Sequence, residues 1–204
     1  MRTILDSAFT AAFWFADKAL SRNDYLQPQK LQRLLFLAQA CYAALYPGRT
    51  LMPAVFVAHN AGPLEPNIYL AFSQGRPDIE IEAEVAEEAE LVLEEIWRRF
   101  GHLTCNHLGR LTREMPAYVQ AYRRGDRTEI SIESMRQSIV NNGVPGGGDV
   151  LGRAKFARTQ SGKHVRVRSW MPGEVPAKAV IQATESTYVM DEAPAPGWLA
   201  DSSR

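Results

Sequence analysis

Only two cysteines, Cys41 and Cys105, occur in 204 residues, so the chain has no disulfide framework and a reducing cytoplasm is its expected compartment. No uncharged apolar run reaches about 18 residues, which argues against a membrane-spanning helix. The opening residues, Met1 to Asp6, lack the long apolar stretch of a secretory signal. Neither charge dominates: Lys plus Arg (23) equals Asp plus Glu (23), so the whole molecule is not a generic binder of polyanions. A Gly-x-Ser-x-Gly nucleophile turn is missing. Gly146-Gly147-Gly148 has no strand before it and no Lys-Ser/Thr after it, so it reads as a linker and not as a phosphate loop. Nor does any fixed-period repeat occur. What is present is an ordinary globular composition, long enough to bury its own core.

The neutral total hides segregation. Asp78 to Glu95 holds nine acids and no Lys or Arg, whereas Arg153 to Arg168 holds six bases and no acid. Most of the acidic block falls on a helix expected over Glu82–Phe100, with Val85, Ala89, Val92, Leu93, Ile96, Trp97 and Phe100 on its apolar face. Early glutamates and the late Arg98 and Arg99 suit the helix dipole, so the acids read as its solvated face. Helical spacing also predicts Ile4–Leu20, with Asp6 or Ser7 as its start signal, and a second helix from Pro28, with Leu31, Leu34, Leu35, Ala38, Cys41, Tyr42 and Leu45 on a core stripe. Leu51–His59 reads as a strand, Ala61-Gly62-Pro63 as a rigid turn, and Pro66 as the opening of a short helix through Phe72. A short helix over Leu108–Thr112, capped by Thr104 or Asn106, is broken at Met115-Pro116. Ala117–Arg124 adds another turn or two, and Ser131–Val140 makes a final helix. Past the glycines, Lys163–Trp170 alternates basic and apolar residues like a strand. Val175–Val189 reads as strand or short helix, and Asp191–Arg204 as a tail.

Chemistry-bearing constellations are sparse. His102, Cys105 and His107 fall close together, but a structural zinc takes four ligands and no second cluster supplies a fourth, so neither metal nor cofactor is expected. Cys41 sits on a helix stripe as a small core residue does. Acids on a solvated face keep ordinary pKa values and make poor general acids. His59, at a strand end beside the turn, is either a proton-transfer group or a hydrogen-bonded residue that holds the turn. Lys30, one turn into a core helix, extends its ammonium either to a partner or to a nearby acid, for which Glu65 is the candidate. The basic stripe suits nucleic acid phosphates, an acidic protein surface or plain solvation of a strand face.

Leu26, Lys30, Leu31, Gln32, Arg33, Leu34, Leu35 and Phe36, followed by Gly62-Pro63-Leu64 and Tyr69, resemble the two central motifs of the Panacea domain family, which includes SocA-type antitoxins and the phage-associated GepA proteins. The family's helix reads Leu-x-x-x-Lys-Leu-Gln-Lys-Leu-Leu-Tyr, so Arg33 stands for Lys and Phe36 for Tyr. Leu64 stands for Val in the Gly-Pro-Val turn. Leu108-Gly109-Arg110-Leu111-Thr112 and the Met115-Pro116-Ala117-Tyr118 that follows resemble a later segment, with Tyr118 where Trp is usual. The resemblance covers about Ile4 to Val140. It implies an antitoxin that neutralises a toxin by direct binding; in the SocA case the antitoxin also delivers the toxin to a Clp protease. It implies no enzyme activity.

These readings combine into one expectation. The fold is mainly α (α+β), with a helical domain over 1–142 containing a small β element, then a linker, basic extension and loose tail over 143–204. Function is binding of a cognate toxin protein through Lys30, His59, Glu65 and Tyr69, with Arg166, Arg168 and Trp170 of the extension as a second contact. The alternative is a DNA-binding regulator that uses the extension.

Overall fold

The computed structural model describes residues 2–79 and 85–147, and the backbone of residues 155–158 and 164–167. In chain order the elements are β1 (Arg2–Thr3), α1 (Ala8–Leu20), α2 (Pro28–Leu45), β2 (Arg49–Thr50), β3 (Phe56–His59), β4 (Gly62–Leu64), α3 (Pro66–Ala71), α4 (Glu87–Phe100), α5 (Cys105–Glu114), α6 (Pro116–Arg124), β5 (Thr128–Ile130), α7 (Ile132–Asn142), β6 (Lys155–Arg158) and β7 (His164–Val167). The fold is therefore mainly helical with small sheets, an α+β arrangement. Two compact units divide the chain, Met1–Arg153 and Ala154–Arg204.

Helix starts follow local signals. The Ser7 side chain accepts the Phe9 N–H at 3.1 Å and opens α1. The apolar periodicity extends back to Ile4, yet those residues are extended: β1 pairs in parallel with β2, and the N–H groups of Ile4 and Leu5 continue to the Thr50 and Leu51 carbonyls. Thr104 caps α5 through the His107 N–H, and Ser131 caps α7 through the Ser134 N–H. Pro28, Pro66 and Pro116 each occupy a first helical turn, where a missing N–H removes nothing. Met115 ends α5 and begins α6 with ψ 131°, because a residue before proline is excluded from the helical region.

The stripe expected on α2 is only part of what is buried. Every residue from Lys30 to Ala43 is covered, because α1, α3, α4, α5, α7, β2 and β4 all pack around this helix. A helix enclosed on all sides ordinarily carries apolar residues all round. This one carries Lys30, Gln32, Arg33 and Gln39 as well, and each is hydrogen-bonded inside the protein. Gln39 shows the pattern: its Nε2 donates to the Met52 carbonyl at 3.0 Å, and its Oε1 accepts the Met52 N–H at 3.1 Å. That clamp holds Leu51 and Met52 in bends, so the strand expected from Leu51 begins only at Phe56.

β3 is the middle strand of a three-stranded antiparallel sheet of order β4-β3-β5, in register Val57 with Leu64 and Glu129, and Ala58 with Pro63 and Thr128. The expected turn at Ala61-Gly62-Pro63 is tighter than its sequence suggests. Asn60 and Ala61 make the connection, His59 pairs with Gly62, and Gly62 to Leu64 form a strand. β5 has no counterpart in the sequence reading, since three residues are too few to display alternation. The helix expected from Glu82 begins at Glu87, since Val85 and Ala86 are not helical and Val85 is only half-buried, but Ala89, Val92, Leu93, Ile96, Trp97 and Phe100 of α4 are buried as expected. Its acids are not simply solvated: Glu94 pairs with Lys18 at 2.6 Å, Glu88 with Arg49 at 2.9 Å, and Glu95 with Arg98 at 2.5 Å.

The first unit continues past the boundary expected at 142. Val144 is buried with the core, and the Gly147 carbonyl accepts from Arg99. In the second unit β6 and β7 form an antiparallel pair with Phe156 opposite Arg166. The readings for residues 80–84, Val175–Val189 and the tail fall outside the described residues.

Burial also bears on stability at alkaline pH. It pushes the Cys41 thiol up from 9.0 to about 12 and the Tyr42 phenol up from 10.0 to about 12. Above pH 9 the folded chain therefore holds protons that the unfolded chain has lost. Their contribution to stability is complete below the unfolded values and is lost as pH rises toward 12. Urea unfolding should show a lower midpoint at pH ~10.5 than at pH ~8, and equal midpoints would contradict this account.

Candidate functional site

The first turns of α2, the β3–β4 hairpin and α3 meet at a narrow cleft of ≈ 40 Å³, lined by Gln29, Gln32, Arg33, His59, Ala61, Gly62, Pro63, Leu64 and Tyr69. Arg33 is the anchor. Its Nη1 donates to the Cys105 carbonyl at 3.0 Å and also contacts the Cys105 sulfur, while its Nη2 donates to the Ala61 carbonyl at 3.0 Å. One side chain thus joins α2, the start of α5 and the hairpin connection. Room for the guanidinium comes from Gly109, where a Cβ would lie 3.0 Å from Nη2 and 3.1 Å from Cζ. Arg33 is 6% exposed and, among the described residues, no carboxylate forms an ion pair with it.

Around it the other polar groups are directed by backbone partners. Gln32 Oε1 accepts the Glu65 N–H at 2.7 Å, and its buried Nε2 has no hydrogen-bond partner among the described residues. Gln29 Oε1 lies 3.7 Å from the Cys105 sulfur, a long thiol contact, and its amide N–H groups have no acceptor among the described residues. His59 Nδ1 accepts the Ala61 N–H at 3.2 Å, so the neutral ring carries its proton on Nε2. The His59 carbonyl accepts from the Tyr118 hydroxyl at 2.7 Å, and Tyr118 stacks on Tyr122. Tyr69 is half-exposed on the rim.

Two of the expected contact residues are corrected. Lys30 is buried, and its Nζ donates to the Gly101 carbonyl at 2.6 Å; it neither reaches the surface nor pairs with Glu65. Glu65 is buried too: its Oε2 accepts the Ile68 N–H at 2.6 Å and its Oε1 accepts from Asn67, which makes it the cap of α3. Both side chains satisfy groups that folding would otherwise leave unpaired. His59 and Tyr69 do converge, on the cleft that Arg33 anchors. Arg166 lies in β7, and Arg168 and Trp170 fall outside the described residues. Gln29, Gln32 and Arg33 were not expected as site residues. Their signal was an amide and a cation placed between apolar residues of a core helix, which marks a buried polar group in need of a partner.

Two further grooves lie on the first unit. One of ≈ 150 Å³ runs past Leu20, Tyr25, Leu26 and Phe72, and one of ≈ 140 Å³ past Leu111, Met115, Ser138 and Asn142. All three are smaller than the roughly 300–1,000 Å³ of typical small-molecule sites. Among the described residues, no three His, Cys, Asp or Glu converge as metal ligands, and no helix is long and apolar enough to cross a membrane. Comparison with protein-family models, with curated proteins and with solved structures returned no match to the chain.

Proposed function

We propose that this chain is an antitoxin that binds and neutralises a cognate toxin protein, by covering it or by also presenting it to a Clp-type protease. The observation that carries the reading is the use made of the residues that resemble the Panacea family. Lys30, Gln32, Arg33, Thr112 and Tyr118 each hydrogen-bond a backbone group of the first unit. They build a stiff frame. Large apolar side chains at its surface remain open: Leu20 is 67% exposed, Tyr25 70% and Leu70 75%. A rigid frame that carries an open, aromatic-containing surface suits protein recognition and the shallow grooves beside it.

The test is co-expression with the adjacent reading frame. That product should arrest growth alone, and this chain should restore growth through a complex that survives purification. Tyr69→Ala, an exposed substitution, should weaken the complex about tenfold or more. Failure to rescue with folded protein overturns the proposal. A second reading, a DNA-binding regulator, draws on the β6–β7 pair, since a two-stranded ribbon from a basic stretch suits the major groove. Steep loss of DNA binding with salt, and indifference to the neighbouring product, would favour it.

A further inference from the structure

We propose that the cleft at Arg33 receives a carboxylate side chain of the protein partner, an inference that rests on the protein-binding reading above. Its lining contains donors in excess. Arg33 is a buried cation whose partners are carbonyl and thiol groups. In the neutral His59 ring the proton falls on Nε2, the Gln29 amide N–H groups have no acceptor among the described residues, and Tyr69 lines the same cleft. Among the described residues no acid lines the cleft; the nearby Glu65 carboxylate is committed to the start of α3. A cation without a counter-charge in a poorly hydrated place is costly, and an arriving carboxylate relieves that cost while accepting charge-assisted hydrogen bonds.

The planar end of an Asp or Glu side chain suits this narrow cleft of ≈ 40 Å³ better than a bulkier tetrahedral phosphate flanked by sugars. The rim suits the same occupant, because Tyr69 offers an aromatic wall for the aliphatic stem of the entering residue. In protein interfaces a buried, paired charge of this kind governs dissociation more than encounter.

The experiment uses the full chain and sodium acetate as the probe, with sodium chloride at equal ionic strength as the control. Resonances of the Arg33 Nε–H, the Gln29 side-chain amide and the Gly62 amide should shift saturably with acetate and not with chloride. Gln29→Leu and Tyr69→Phe alter exposed side chains and keep the fold; each should weaken acetate binding about tenfold. Inorganic phosphate that saturates these shifts at lower concentration than acetate overturns the proposal, as do shifts equal in chloride. In the purified complex, one partner Asp or Glu converted to its amide should lose about tenfold in affinity, and the Gln29→Leu background should shrink that loss. A partner with no such residue overturns the carboxylate anchor while leaving the growth rescue intact.

Discussion

Replacing Arg33 with alanine should lower the unfolding free energy of the protein by ~2–4 kcal/mol, through the loss of its hydrogen bonds to two carbonyls and of the packing of its stem. The guanidinium bridges α2, the Cys105 carbonyl at the start of α5 and the Ala61 carbonyl in the hairpin connection. Its removal takes a donor away from both carbonyls and opens a space beside Gly109. Arg33→Lys separates charge from shape. Lysine keeps the charge but has no planar fork to reach two diverging carbonyls, and the slot left by Gly109 fits a plane. We expect lysine to restore less than half of the loss in urea unfolding followed by circular dichroism. If Arg33→Lys matches the parent, the fork geometry is irrelevant and the account of this site is wrong.

Gln39→Leu should cost ~2–4 kcal/mol even though leucine is similar in volume, since two buried backbone groups each lose a hydrogen bond. Gln39 is 2% exposed and serves both the N–H and the carbonyl of Met52. In effect it takes the place of a neighbouring strand. Gln39→Glu should be worse than Gln39→Leu at neutral pH. It replaces the donor that faces the Met52 carbonyl with a second acceptor, and it buries a charge as well. Equal effects of the two substitutions would mean that packing, and not the hydrogen bonds, holds the segment after β2.

The contrast between α1 and α2 shows what could be read in advance. On α1, apolar spacing separates a buried face from a wet one and Ser7 marks the start, because capping is a contact across two residues. On α2 the same spacing located the helix and its apolar stripe but did not show that the polar side chains beside the stripe are enclosed as well. The error at Lys30 and Glu65 has that origin: both were placed at a contact surface because charge usually marks solvent. The resemblance pointed at Lys30, Gln32 and Arg33 without indicating what they do. His59 and Tyr69 were found because they sit at a strand end and in a short helix on either side of one hairpin, so that local geometry brings them together.

Sequence alone determined the positions of the helices, their proline and serine starts, the break at Met115 and the mainly helical class, since each depends on neighbours a few residues away. Tertiary structure decided the fate of the polar side chains on α2. Lys30 meets a carbonyl 71 residues along the chain and Arg33 one 72 residues along. Burial is a property of what arrives from such distances, and a periodic pattern records only which side chains avoid water, never which polar ones will be enclosed.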